Sequence, residues 1–179
     1  MTSSATDRIL YQAVQTHRLA QRYPLRAKGE NKRFLYVTPM VRDGLAGTDP
    51  ALSHLPMVEM ELIIATFCAG YRLTASLLGN PKNKRPQIER LMGLDEVWAV
   101  CARTPSRKQV RMFGRFIEPG KFVGLQLHDR KALDDFKTYT RKASSVLGDW
   151  SSIFGALQPF RGSTLQEYLG EQVLDVDQI

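Results

Sequence analysis

Residues 96–130 (EVWAVCARTPSRKQVRMFGRFIEPGKFVGLQLHDR) carry the pattern that most limits what this chain can fold into. They read as three antiparallel strands, roughly 96–103, 109–117 and 122–128, joined by Thr104–Lys108 and Glu118–Lys121. A strand alternates its side chains between two faces. On that rule Val110, Met112 and Phe116 join Val123, Leu125 and Leu127 on an apolar face. The other face carries Arg111, Phe113, Arg115 and Ile117 with Phe122, Gln126 and His128. Pro119–Gly120 suits the centre of a type II turn, whose twist opposes that of a tight hairpin. A bulge is therefore expected at the loop, shifting cross-strand pairs while parity within each strand persists.

Around this meander the elements follow from period and punctuation. Residues 5–22 are helical in spacing up to Pro24, and Arg22–Arg33 is a basic connector. Phe34–Thr38 is a short strand stopped by Pro39, and 42–55 reads as a loop. A helix is expected from Pro56 to Leu78, apolar nearly all round and ended by Gly79–Asn80–Pro81. A short helix over Gln87–Met92 precedes the meander, and a helix from Asp129 to about Trp150 follows it. A last short helix begins at Ser163, spaced from Gln166 as in a capping box.

The predicted architecture is α+β. A small antiparallel sheet, the meander plus an N-terminal strand, packs against one long buried helix and flanking helices. Three segments result: an N-terminal helix and basic connector over 1–33, a core over 34–155, and a short helix with an acidic tail over 156–179.

Charge is unevenly spread. Residues 1–142 hold 24 basic and 13 acidic side chains, whereas 143–179 hold one basic and five acidic. A basic body favours a polyanionic partner, nucleic acid being the commonest. The acidic end then competes in cis for that surface or is a solvated terminus. Cys68 and Cys101 sit in apolar runs without metal or disulfide spacing, which fits a reducing compartment. No secretory signal pattern stands at the N-terminus, and Leu62–Leu78 falls short of a membrane span and contains Arg72. The expectation is a cytoplasmic protein with no membrane association.

The basic-aromatic strand face is the first candidate site. Arg111 and Arg115 flank Phe113 on one side of a strand, and Arg107 and Lys108 precede them. Guanidinium groups grip phosphates and an aromatic ring stacks a base, so this face suits nucleic acid. Gly114 and Gly124 would leave a shallow place on it. The competing reading is that the final helix covers the face while the arginines pair with Asp134 or Asp135. His128 and Arg130, at the end of the last strand, are the second candidate, as a proton shuttle and a phosphate ligand. Asp129 between them points the other way and serves equally as a helix cap. His17, His54 and His128 have no zinc spacing, and Gly44–Gly47 lacks the lysine of a phosphate loop. No metal and no cofactor are expected.

Val97–Arg103, Gln109–Ile117 and Phe122–Arg130 resemble the last three strands of the small RelE/HigB-type toxin fold. The segment FVGLQLHDRKAL is similar to that fold's closing strand. The resemblance covers about half the chain. It implies messenger-RNA cleavage on the ribosome, with Arg115 and Arg130 as catalytic or phosphate-binding residues and His128 as an acid-base group. Three functions thus stand before the structure. The first is a nucleic-acid-binding accessory or regulatory protein using Arg107, Lys108, Arg111, Phe113, Arg115, His128 and Arg130. The others are a RelE-like ribonuclease and a subunit whose sheet face meets a protein partner.

Overall fold

From the N-terminus run α1 (Ala5–Gln15), β1 (Ala20–Arg22), β2 (Phe34–Val37), α2 (Pro39–Leu45), α3 (Met57–Cys68), β3 (Leu73–Ser76) and β4 (Ile88–Arg90). Then follow the long strands β5 (Trp98–Arg103), β6 (Gln109–Glu118) and β7 (Lys121–Asp129), a 3-10 turn (Arg130–Leu133), and α4 (Phe136–Phe154). The chain closes with α5 (Leu165–Leu169), β8 (Val173–Asp175) and a second 3-10 turn (Val176–Gln178). This computed structural model describes residues 4–22, 32–79, 85–105, 108–133 and 135–178.

The eight strands of the described residues join in one sheet, ordered β1-β2-β7-β6-β5-β4-β3-β8. β2 lies parallel to β7, and β3 lies parallel to both β4 and β8; the remaining pairs are antiparallel. This corrects the small antiparallel sheet expected from the sequence. The α+β character holds, but the sheet is large and mixed. The strands that were missed, β1, β3, β4 and β8, are only three or four residues long. Segments so short show no period of their own, and their strand state is set by neighbours distant in sequence.

The helix expected over Pro56–Leu78 ends instead at Cys68, capped by Ala69, with Gly70 at φ +71°. Beyond it Leu73–Ser76 becomes β3. An unbroken apolar run does not distinguish a buried helix from a buried strand. Gln87–Met92 was read as a helix and holds β4, while the loop expected over 42–55 begins inside α2, capped by Thr38 with Pro39 in its first turn. α1 stops at Gln15, well short of Arg22. The last helix is capped one residue later than expected, by Thr164, whose Oγ1 accepts from the Glu167 amide at 3.3 Å.

Both faces of the sheet are covered. One packs on α2, α3 and α5 through Leu35, Val37, Trp98, Val100, Met112, Phe116 and Phe122. The other packs on α1 and α4 through Tyr36, Ala99, Cys101, Phe113, Val123 and Leu125. The expected loop bulge exists: pairing passes from Phe116–Phe122 to Glu118–Lys121, leaving Ile117 as the extra residue. A second shift inside the hairpin was not foreseen. Phe113 pairs with Gln126 and Gly114 with Gly124, so Leu125 is extra in β7. Parity in β6 persists, but in β7 it inverts at Leu125. Val123 and Leu125 therefore face α4 beside Phe113, and Phe122 faces α3, the reverse of the expected assignment. Leu127 and Gln126, beyond the bulge, face as expected.

The termini are built into this frame. Arg33, at the end of the basic connector, is buried and donates to the carbonyls of Tyr71 at 3.1 Å and Gln172 at 3.1 Å. β8, within the acidic segment, is an edge strand of the sheet. Among the described residues no helix is long and apolar enough to cross a membrane.

Candidate functional site

The seven residues singled out from the sequence fall in several different places. Arg107 lies outside the described residues. Lys108 is exposed, and its Nζ donates to the His54 carbonyl at 3.2 Å. Phe113 is wholly buried, its ring 5.4 Å from that of Tyr139 on α4 and 5.6 Å from that of His128. Gly114 and Gly124 leave no hollow, because Phe122 and Met112 fill the space beside them. The strand face is thus a floor under α4.

Arg115 is also buried, and it is spent on structure. Its Nη2 donates to the Asp95 carbonyl at 2.7 Å and to Asp95 Oδ2 at 2.9 Å, and its guanidinium lies 5.2 Å from the Trp150 ring. Of the carboxylates expected to pair with it, Asp135 caps α4 instead, and Asp134 lies outside the described residues. Burial lowers the Arg115 pKa against the pull of Asp95. His128 is half-buried, and its Nε2 meets Gln126 Oε1 at 2.9 Å. Burial first, then the Lys142 charge, pushes its pKa below the ordinary value, so it is neutral at neutral pH. Asp129 accepts from the Lys131 amide at 2.8 Å and faces His54, a capping role rather than a catalytic one.

Arg111 and Arg130 come together. Both line a cavity of about 740 Å³ between β4, β6, the 3-10 turn and the start of α4. That volume lies within the range of ligand pockets. On the floor, Glu89 of β4 and Arg111 of β6 are each 4% exposed. Arg111 Nη2 makes one long bond to Gln109 Oε1 at 3.4 Å, while among the described residues its Nε and Nη1 have no hydrogen-bond partner. Glu89 Oε1 has the Cys101 thiol at 3.5 Å, and its Oε2 has no partner among the described residues. Buried polar atoms are normally paired, because an unpaired one forfeits its hydration. Burial pushes the Cys101 thiol up to about 12, so it stays protonated.

On the walls, Arg130 donates from Nη1 to the Leu133 carbonyl at 2.7 Å and lies 5.5 Å from the Tyr139 ring. The Tyr139 phenol is pushed up by burial and then by Glu89 and Cys101, while Arg111 and Arg130 oppose the shift. The rim is apolar and open: Leu78 is 66%, Met92 64% and Phe136 84% exposed. Phe136 opens α4, directly after its cap Asp135. Around it the 3-10 turn and the first turns of α4 carry Lys131, Lys137, Arg141 and Lys142, all exposed.

Sequence reasoning missed Glu89, Tyr139 and Phe136 as site residues. Reading Gln87–Met92 as helix hides Glu89, whose row (Ala99, Phe113) shares a sheet face with Arg111 one pair further along. The five bases within 130–142 were the available signal for the cations beside Phe136. No family model, curated protein or solved structure matches this chain.

Proposed function

We propose that this protein binds single-stranded nucleic acid, as an accessory or regulatory factor, at the mouth of the cavity between β4 and α4. The sheet-face version of this idea is set aside, since Phe113 and Arg115 are buried in structural contacts. Phe136 carries the reading: a phenylalanine 84% exposed among Lys131, Lys137, Arg141 and Lys142, above Arg130. Successive helix residues are about 100° apart, so Lys137 flanks the face on which Phe136 and Thr140 line the groove, with Arg141 further round the helix. A ring for stacking amid mobile cations for phosphates is what strand binding without a strict sequence requires. The overall charge of +7 adds long-range attraction.

The test is binding of a short fluorescent oligonucleotide over a salt series. Affinity should fall steeply with salt, and a K137A/R141A/K142A variant should show a slope shallower by up to about one per lost phosphate contact. Phe136→Ala should weaken binding about tenfold at every salt concentration. An oligonucleotide ignored at low salt would overturn the reading. The same mixtures, run on a gel, address the ribonuclease alternative: RNA cleavage abolished by His128→Ala would replace binding with catalysis.

A further inference from the structure

The cavity floor asks for something the cations at its mouth do not. We propose that the cavity receives one nucleobase, guanine preferred, with its edge against Glu89 and Arg111 and its faces against the apolar rim. This rests on the nucleic-acid reading above and says which part of the ligand enters.

Glu89 and Arg111 are both 4% exposed, and each keeps polar atoms without a partner among the described residues: Oε2 of Glu89, Nε and Nη1 of Arg111. A phosphate would satisfy Arg111 but would meet the Glu89 carboxylate, a like charge in a poorly hydrated place. A purely apolar group would leave both side chains unpaired. The entering group must offer a donor and an acceptor together and carry little net charge. A base edge does this. Guanine presents two donors, N1–H and the N2 amino group, beside the O6 acceptor, which suits a carboxylate next to a guanidinium. Adenine and cytosine offer one amino donor, and uracil and thymine one ring N–H.

The walls agree with a flat heteroaromatic ring. Leu91, Met92, Leu94 and Leu133 supply apolar surface, and Phe136 stands at the opening. Arg130 and the exposed lysines lie outside the floor, where the sugar-phosphate of the inserted nucleotide would emerge. The shared chemistry is the base, whether it comes from a strand or from a free nucleotide.

The experiment uses fluorescent oligothymidylate with a single central guanine, adenine, cytosine or abasic residue. Guanine should tighten binding about tenfold over the abasic strand, with adenine and cytosine between. Glu89→Gln should bring that ratio down toward one. Because Glu89 is buried, the exposed-rim variant Met92→Ala is measured beside it and should also lower the guanine ratio. Guanosine monophosphate should compete for the same site; competition as strong as that of the strand identifies a free nucleotide as the source and still supports the base pocket. Equal, salt-dependent binding of all four strands overturns the pocket while leaving strand binding intact. Binding of none of them overturns strand binding, and failure of guanosine monophosphate to bind directly then overturns the pocket as well.

Discussion

The ring of Phe113 on β6 meets the ring of Tyr139 on α4 edge-on, their centroids 5.4 Å apart at an interplanar angle of 74°. This contact closes the strand face that the sequence offered as an open platform. It also places Tyr139 between the buried core and the cavity, so one side chain joins the packing of α4 to the candidate site.

Removing Phe113 therefore measures packing. Phe113→Ala should cost about 3–5 kcal/mol, the range for a buried aromatic that leaves a cavity. Urea denaturation checks it through the shift in midpoint. A change within about 0.5 kcal/mol, ordinary for surface residues, would mean that the face is open after all.

Two glycines give opposite expectations. A Cβ at Gly114 would stand 2.1 Å from the Val123 carbonyl oxygen and 2.6 Å from the Phe122 ring. Backbone cannot yield there without breaking the hairpin, so Gly114→Ala should cost about 3 kcal/mol or more. Gly148, exposed within α4, meets nothing within 4 Å, and Gly148→Ala should stabilise by about 0.5–1 kcal/mol through helix propensity. Thermal melts of the two variants should move in opposite directions.

The hairpin also shows how far the sequence could be read. Even and odd positions of β6 sort correctly between the two cores because that strand's own bulge, at Ile117, falls at its end. In β7 the same reasoning holds for Gln126 and Leu127 and fails for Phe122 and Val123, on the far side of Leu125. Nothing in the order of apolar residues marks a bulge, which depends on the close approach of Gly114 to Val123 across the pair. β3 was illegible for another reason. Its neighbours, β4 and β8, are three-residue strands, and β8 lies about a hundred residues away in sequence. Arg111 and Arg130 could be picked singly, yet their shared cavity needs β4, which brings Glu89 to the same face of the sheet.

Asp177 tests what the acidic end does. Its Oδ2 accepts from the amides of Leu77 at 2.8 Å and Leu78 at 3.1 Å, and Oδ1 accepts from Ser76 Oγ at 2.8 Å. It ties off the end of β3. Asp177→Ala should lower stability by about 1–3 kcal/mol, the cost of leaving such donors unpaired. Oligonucleotide affinity of the folded variant should match the parent. Tighter binding would restore the idea that the acidic end competes for the basic surface.

His128 gives the pH dependence a sign. Burial and Lys142 hold its folded pKa below the ordinary 6.5, so below that pH the unfolded chain binds the extra proton first. This contribution to stability is complete above about pH 6.5 and is lost as the pH falls toward the folded value. His128→Gln should flatten stability against pH in that window. A parent protein whose stability rises on acidification there would contradict the assignment.

The most direct measurement of the central claim is a titration of the isotopically labelled protein with a single-stranded oligonucleotide, followed by backbone amide shifts. The account predicts changes concentrated in residues 130–142, together with Glu89, Met92 and Arg111. Binding that shifts other surfaces and leaves those residues unmoved would contradict it.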